Sequence, residues 1–396
     1  DGSGLLTNHA LLWLNDANNS VAEFAPLGGL TSINYARFNA ISNAQQIVGT
    51  SNQTADTRNS PFGKQRATVW GVNGTPQQGG FQGLLAPSSN GSYAGFPEAS
   101  IDLSDALAVN NAGAVVGYRT FKEGVDNNPH GAVWLYRNAK WNVYFVGAES
   151  TFNGISDAGL IVGWARSGGI YSGAPKKPWV WNNVGEAEQG QELACKTDGG
   201  TANAVNSAAI VVGSSYVDEG TGTNKTRNTS AVYWLGTAAN CVQFPSLGGT
   251  YSEAKAIQKD GQAVGSANTP SGQKHAVLYY RQSPSVYAVI DLNSYTGNGA
   301  SVGFSYLEEA TGINDSGNIV GYGMLPNGKR AAFKIMGLFG TASAASVTTR
   351  SVTMSESEEA PEKTLSRGKE VSVQSSSASQ MVQLNHVKPL KLSTEE

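Results

Sequence analysis

Charged side chains are scarce in this sequence. They make up 14% of the chain, against roughly 25% in an average globular protein, and the formal net charge is only −3. A chain with so few cations has no basic patch for nucleic acid and no cationic face for an anionic membrane. Apolar runs are short as well, and none approaches the roughly 20 residues of a membrane-spanning helix. We therefore expect no nucleic-acid partner and no membrane insertion.

Glycine, in contrast, is abundant, and many of the 48 glycines lie in a recurring nine-residue pattern. The pattern has Ile or Val at position one, a polar middle, usually Ile or Val at position seven, and Gly at position nine. Branched apolar residues on both sides of a short Asn/Asp/Ser/Gly segment predict a β-hairpin with a type I turn followed by a bulge. The six copies are residues 41–49, 109–117, 155–163, 205–213, 257–265 and 313–321.

Two positions of this pattern carry specific predictions. Position five, usually Gly, takes the positive φ that follows the turn. Gln45 and Ala209 replace that Gly in two copies and should cost some turn stability. Position nine is Gly in every copy, which predicts a place where another backbone approaches too closely for a Cβ.

A strand that ends in an aromatic residue lies between successive hairpins, and a vaguer outer strand follows it. Four strands in a unit that recurs roughly every 50 residues are typical of β-propeller blades, whereas an open β-solenoid has a shorter and stricter period. We predict an all-β, β-propeller domain over residues 1–340. Seven aromatic strands against six hairpins favour seven blades closed across the termini, with six as the alternative. The strands with this pattern are residues 9–13, 66–70, 130–134, 177–181, 230–234, 275–279 and 330–334.

The composition changes after residue 340. Residues 341–396 contain no aromatic residue, a single Gly, and clustered Ser and Glu. Such a composition cannot bury a core, so this region is predicted to be a disordered low-complexity tail. One strand near residues 347–354 could supply what the seventh blade lacks.

With both strand patterns in view, the chain resembles the extracellular repeat proteins of the HAF family. Their repeats read Ile-Asn-x-x-Gly-x-Val-Val-Gly and, after a spacer, His-Ala-Phe-x-Trp; residues 313–321 and 275–279 carry the likeness best. The resemblance implies secretion or display at the cell surface and implies no catalytic site. Other residues stand where the family has its His, which argues against a fixed chemical duty for that His: Arg66, Lys177, Ser230 and Arg330.

No catalytic motif stands out in the chain. It has no Gly-x-Ser-x-Gly turn, no His-Glu-x-x-His helix and no phosphate-binding Gly loop. We therefore name no catalytic residue and favour a non-catalytic protein, with a polysaccharide hydrolase or lyase as the alternative. Such an enzyme needs two carboxylates across a cleft. The carboxylates open to that role are Asp102, Asp105, Asp218, Glu219, Asp291, Glu308 and Glu309.

Two sets of residues resemble metal ligands by residue type, but neither has the arrangement that a metal site requires. His9, His130 and His275 occupy equivalent positions, but equivalent positions in separate blades lie far apart. The turn at residues 314–318 offers one or two acids at most, whereas calcium takes six to eight oxygen ligands. We expect no metal site and no cofactor, and keep calcium as a minor alternative.

Aromatic residues near Gly-rich loops suggest a binding face. Sugar rings stack on such side chains, so we expect a surface glycan or a surface protein as the partner. The same residues could instead cap the core, and a structural role through self-association is a third possibility. The candidates are Tyr93, Phe96, Trp141, Tyr171, Tyr216, Tyr251, Tyr295 and Phe304.

The two cysteines and the glycosylation sequons bear on secretion. Cys195 and Cys241 are separated by close to one period of the pattern and can bridge neighbouring blades, with free buried thiols as the alternative. The Asn-x-Ser/Thr sequons matter only if the source is eukaryotic. They begin at Asn18, Asn52, Asn73, Asn90, Asn224 and Asn228.

Overall fold

The computed structural model shows an all-β protein. In the part of the chain that it describes, every regular element except the four-residue helix α1 (Leu292–Tyr295) is a β-strand. No helix there has the length and apolarity that crossing a membrane requires. The described residues are 10–13, 21–24, 36–53, 64–71, 81–83, 101–121, 128–137, 140–166, 174–182, 190–195, 197–220, 226–295, 303–336 and 347–349.

Four separate sheets are antiparallel meanders of four strands each. In every one the predicted hairpin comes first, the strand with the aromatic residue third and an outer strand fourth. Sheet 1 is β3 (Ala36–Ile41), β4 (Gln46–Gln53), β5 (Lys64–Gly71) and β6 (Phe81–Gly83). Sheet 4 is β14 (Gly199–Val205), β15 (Ile210–Glu219), β16 (Thr226–Leu235) and β17 (Val242–Gln243). Sheet 5 is β18 (Ser252–Ile257), β19 (Ala263–Asn268), β20 (Lys274–Ser283) and β21 (Val286–Asp291). Sheet 6 is β22 (Tyr306–Ile313), β23 (Ile319–Met324), β24 (Arg330–Ile335) and β25 (Val347–Thr349).

A further sheet has seven strands, and its central strand β10 is 16 residues long. Residues 140–149 of β10 pair with β9, and residues 150–155 pair with β11. The long strand thus divides this sheet into two groups of four, called sheet 2 and sheet 3 below. Sheet 2 is β7 (Ile101–Val109), β8 (Val115–Phe121), β9 (His130–Arg137) and the first part of β10 (Lys140–Ile155). Sheet 3 is the second part of β10, β11 (Ile161–Arg166), β12 (Lys176–Trp181) and β13 (Gly190–Glu192).

The two ends of the described chain lie in different sheets. Strands β1 (Ala10–Trp13) and β2 (Val21–Phe24) pair with each other, and β1 contacts β3. Strand β25, inside the segment predicted to be a tail, pairs with β24 and is the fourth strand of sheet 6. The partial unit at the start of the chain therefore consists, within the described residues, of β1 and β2.

The hairpin turns have the predicted geometry. The residue at position five has a positive φ in all six copies, including Gln45 at 60° and Ala209 at 57°. Its N–H donates to the carbonyl three residues earlier, as from Gln45 to Ser42 at 3.0 Å. Since a non-Gly residue rarely adopts this φ, Gln45 and Ala209 hold a conformation that costs these two turns some stability.

A bulge in the first strand of every hairpin accompanies the invariant closing glycine. The register shifts by one residue, as between Phe38 and Ala40, and the carbonyl just before the bulge then presses against the partner strand. A Cβ added to Gly49 would overlap the carbonyl oxygen of Arg37. The predicted close backbone is therefore the hairpin's own first strand. The equivalent pairs are Gly117 and Asp105, Gly163 and Thr151, Gly213 and Thr201, Gly265 and Glu253, and Gly321 and Glu309.

The hydrophobic core lies between successive sheets. The first strand of each sheet packs on the first strand of the next: β3 on β7, β7 on β10, β10 on β14, β14 on β18, and β18 on β22. The aromatic residues of the third strands are at most 3% exposed, and all but Trp70 belong to a cluster shared by two neighbouring sheets. They are Trp70, Trp134, Trp181, Trp234, Tyr279 and Phe333.

Candidate functional site

In sheets 1, 3 and 4 the bulged residue of the first strand is an Asn that connects neighbouring sheets. Asn39 of sheet 1 donates from Nδ2 to Asp105 Oδ1 at 2.8 Å and to the carbonyl of Ala106 at 2.7 Å, both in sheet 2. Each of these asparagines satisfies a backbone carbonyl of the next sheet, so their role is structural. Asn153 makes the same pair of bonds to Thr201 and Ala202, and Asn203 makes them to Glu253 and Ala254.

Asp315, in the turn considered for calcium, and the residues at the equivalent position of other turns also bridge sheets. Asn43 N–H donates to Asn111 Oδ1 at 2.7 Å, Asn111 N–H to Asp157 Oδ1 at 2.9 Å, and Lys259 N–H to Asp315 Oδ1 at 3.0 Å. The side-chain oxygens at this turn position therefore receive backbone N–H groups from the preceding turn. Among the described residues, no group of three or more His, Cys, Asp or Glu side chains is placed to hold a metal ion.

A cleft of about 760 Å³ opens between sheets 3 and 4. The wall from sheet 3 presents Arg166 and Lys176, at the paired ends of β11 and β12. The wall from sheet 4 presents Tyr216, Asp218 and Arg227, with Asp198 just before β14. The volume falls within the roughly 300–1,000 Å³ typical of small-ligand sites.

Each wall holds a cation over an aromatic ring. Lys176 Nζ lies 3.9 Å from the ring centre of Trp164, a buried side chain that is 7% exposed. The guanidinium carbon of Arg227 lies 3.8 Å from the ring centre of Tyr216, which is half-buried. Both distances fall well inside the ~6 Å range of cation–π attraction, so the rings fix where the two charges sit.

The charges of the two walls differ in how they are paired. In sheet 3, Arg166 donates to Glu149 Oε1 at 2.8 Å. In sheet 4, Arg227 makes two hydrogen bonds to Asp218, at 2.7 and 3.0 Å, which raise the pKa of Arg227. Lys176 is exposed, but partial desolvation and the nearby Arg166 lower its pKa, and Glu149 partly offsets both effects. Lys176 is thus the least well compensated cation of the cleft.

The predicted binding aromatics fall into three groups. Tyr216 lines the cleft. Tyr251 donates its hydroxyl to Glu253 at 2.6 Å, and burial raises the pKa of Tyr251. Phe304 is 1% exposed and belongs to the core between sheets 5 and 6. Tyr93, Phe96 and Tyr171 lie outside the described residues. Trp141 lies in β10 and Tyr295 in α1, but their side chains are not described.

The carboxylates considered for an enzyme mostly face a basic side chain. Burial raises the pKa of Asp105, and the neighbouring Arg37 and Asn39 only partly offset this effect. Glu219 is exposed, and the side chain of Asp102 lies outside the described residues. A basic partner compensates the charge of each of the other carboxylates. The pairs are Asp105 with Arg37, Asp218 with Arg227, Asp291 with His275, Glu308 with Arg330, and Glu309 with Lys274.

Cys195 and Cys241 form the predicted disulfide between neighbouring sheets. Cys195 follows β13 of sheet 3, Cys241 precedes β17 of sheet 4, and their Cα atoms are 5.0 Å apart. The carbonyl of Ala194 accepts the N–H of Cys241 at 2.8 Å and Nε1–H of Trp234 at 3.0 Å. The disulfide therefore ties together the same two sheets that form the cleft.

The sequons lie mostly outside the described side chains. Asn228 is half-buried in β16, and its Oδ1 has no hydrogen-bond partner among the residues described. Asn52 lies in β4, where its side chain is not described. The other sequon positions are outside the described residues: Asn18, Asn73, Asn90 and Asn224.

Reasoning from the sequence named Asp218 and Tyr216 of the cleft but missed Arg166, Lys176, Asp198 and Arg227. Lys176 directly precedes the aromatic strand of sheet 3, and Arg227 is nine residues from Asp218. The register of β15 and β16 pairs Asp218 with Arg227 directly, a signal that a hairpin alignment of residues 210–235 could have found. The convergence of Lys176 with them depends on how sheets 3 and 4 pack, which the sequence pattern does not specify.

The chain matches no model of a known protein family, and its sequence matches no curated protein. The likeness to HAF repeats therefore stays a resemblance. The geometry of the cleft is the basis on which a function can be assigned.

Proposed function

We propose that the protein is a secreted, non-catalytic β-propeller that binds a glycan at the cell surface. Its blades are the four-stranded sheets, packed in chain order with first strand against first strand. Each sheet exposes two apolar faces, and a ring of sheets covers them all. Sheets 1–6 give six blades, and β1 with β2 contributes a seventh.

Secretion is supported by the disulfide and by the resemblance to HAF repeats. Disulfides persist in oxidising compartments and are rare in the cytosol. The bond between Cys195 and Cys241 closes a loop of 46 residues across two sheets. The protein accordingly acts outside the cell or at its surface.

The observation that carries glycan binding is the cleft between sheets 3 and 4, where Tyr216 sits among charged hydrogen-bonding groups. A sugar ring offers apolar C–H faces and closely spaced hydroxyls. Aromatic rings pack against the C–H faces. The hydroxyls form charge-assisted hydrogen bonds with carboxylates and guanidinium groups such as those of Asp218 and Arg227. Because the two groups hold each other at 2.7 and 3.0 Å, they are oriented before a ligand arrives.

A polysaccharide panel tests this function. The full chain is passed over immobilised polysaccharides, and retention is measured together with new reducing or unsaturated ends. We expect retention without cleavage. The variant Tyr216→Ala should lose most of the retention, whereas Tyr280→Ala, which removes a tyrosine that is 37% exposed in sheet 5, should keep it.

Three outcomes would contradict the proposal. Cleavage that is lost when Asp218 is replaced by Asn would instead indicate a hydrolase or lyase. Retention that Tyr216→Ala leaves unchanged would place binding elsewhere on the protein. Absence of retention on every polysaccharide would favour a protein partner or self-association.

A further inference from the structure

One cation of the cleft lacks an anionic partner. No carboxylate in the described part of the chain lies within ion-pair distance of Lys176 Nζ, whose close contact is the face of Trp164. Glu149 acts on it only at longer range, because Glu149 Oε1 accepts the hydrogen bond from Arg166 Nε. A cation held over an indole at the mouth of a cleft is a ready site for an incoming anion.

A second cation on the adjacent strand adds to the positive charge around Lys176. Arg166 and Lys176 are direct cross-strand partners in β11 and β12, and like charges placed opposite each other are destabilising. Among the residues that the structure describes, one carboxylate, Glu149, acts on Lys176, and it also accepts a hydrogen bond from Arg166. The wall from sheet 3 thus carries one net positive charge, which an anionic ligand would neutralise.

The wall from sheet 4 carries acidic side chains. Among the described residues Asp198 and Asp218 lie there with one cation, Arg227, and Asp198 Oδ2 accepts the N–H of Asp218 at 2.7 Å. These acidic side chains can accept further hydrogen bonds from hydroxyl groups. A ligand that fits both walls carries an anionic group on one side and hydroxyls on the other.

Glycine at position 199 brings the two walls together. A Cβ there would overlap the hydroxyl of Tyr216 and lie 2.7 Å from the carbonyl oxygen of Lys176. Without a Cβ, the tyrosine hydroxyl rests against the strand that carries Lys176. A tyrosine hydroxyl at this place can donate a hydrogen bond to the same anion.

We propose that the cleft binds an acidic saccharide, a uronate whose carboxylate contacts Lys176 and the Tyr216 hydroxyl while its ring hydroxyls contact Asp198 and Asp218. This inference rests on the proposed glycan binding and names the class of sugar. A sulfated sugar would meet the same cation, but a planar carboxylate matches one ammonium and one hydroxyl donor with its two oxygens.

Calorimetric titration with oligosaccharides of one length tests this inference. The acidic set contains oligomers of galacturonate, glucuronate and mannuronate, the neutral set contains the corresponding hexose oligomers, and a sulfated oligosaccharide forms a third set. At least one uronate should bind about tenfold tighter than its neutral counterpart, the gain expected of one added ion pair in a cleft. The sulfated set should bind more weakly than that uronate.

Two variants identify the residue responsible. Lys176→Met keeps an apolar stem on Trp164 and should remove the preference for the uronate, measured as the ratio of the affinities for the uronate and its neutral counterpart. Lys329→Met, at an exposed turn of sheet 6, changes the net charge equally and should keep the preference. The thermal midpoint of each variant confirms that it is folded.

The outcomes separate the two proposals. If neutral and acidic sugars bind equally, or if Lys176→Met keeps the preference, the uronate assignment is wrong while glycan binding stands. Tighter binding of the sulfated sugar would replace the carboxylate with a sulfate and overturn the assignment. If no sugar of any set binds, the proposed function itself is wrong.

Discussion

Asp105 in sheet 2 and Glu253 in sheet 5 occupy the same position in two copies of the pattern, yet their pKa values shift in opposite directions. Both accept a hydrogen bond of 2.8 Å from the bulged Asn of the preceding sheet, Asn39 or Asn203. Burial raises the pKa of Asp105. Burial acts on Glu253 too, but Lys255 and hydrogen bonds outweigh it, so the pKa of Glu253 is lowered.

The difference comes from the residue at the bulge of the same strand. In sheet 5 that residue is Lys255, whose Nζ lies 2.8 Å from Glu253 Oε2. In sheet 2 it is Leu107, so Asp105 depends on Arg37 from sheet 1. Half of the Arg37 side chain is exposed, and water screens its charge. The backbone pattern therefore places a carboxylate, and non-repeated neighbours set its protonation.

The largest expected effect tests what the two copies share. Gly117→Ala and Gly265→Ala each put a Cβ into the carbonyl of Asp105 or Glu253, which is backbone and cannot move aside cheaply. Each should lower the free energy of unfolding by about 3 kcal/mol or more. Guanidinium chloride unfolding measures both losses, which should be similar to each other.

Gly328→Ala is the matched control for these two variants. Gly328 has φ 77° and no atom within 4 Å of an added Cβ, so only the backbone conformation is penalised. The cost there should be about 1 kcal/mol. If the loss of stability at Gly117 or Gly265 is no larger than at Gly328, the first strand can shift to admit a Cβ, and the bulge does not require glycine.

The next largest effect tests the different partners of Asp105 and Glu253 in the two copies. Asn39→Ala leaves Arg37 as the side-chain partner of Asp105 and removes the hydrogen bond to the carbonyl of Ala106. It should therefore lower the free energy of unfolding by about 3 kcal/mol. Asn203→Ala should cost about 2 kcal/mol, because Glu253 keeps Lys255 and Tyr251.

The same unfolding measurement applies to these asparagines. Asn327→Ala, at an exposed turn where the side chain accepts only the Lys329 N–H, should change stability by less than about 0.5 kcal/mol. Equal losses of stability at Asn39 and Asn203 would mean that Lys255 and Tyr251 do not compensate for the hydrogen bond that Glu253 loses.

The sequence predicted the hairpins and the glycines because these follow from local periodicity and turn chemistry. The positive φ at Gln45 and the close backbone at Gly49 depend on residues within a single hairpin. The cleft could not be predicted in this way. Lys176 and Tyr216 come from different sheets, and their approach is set by the packing between sheets 3 and 4 and by a missing Cβ at Gly199.

The smallest effect concerns the opposite pKa shifts. The pKa of Glu253 is lower in the folded than in the unfolded chain, so its stabilisation is full above the unfolded value and is lost as the pH falls through the folded value. Glu253→Gln should therefore cost about 1–2 kcal/mol near neutral pH. The cost should shrink as the pH falls below about 4.

Asp105→Asn should show the reverse slope. Because the pKa of Asp105 is raised on folding, the folded chain takes up a proton first as the pH falls, and wild type gains stability through that range. The difference between wild type and Asp105→Asn should thus grow on acidification while that of Glu253→Gln shrinks. Unfolding of both variants at a series of pH values measures the two slopes. Parallel slopes would mean that Leu107 and Lys255 do not decide the charge state, and that the shared backbone position does.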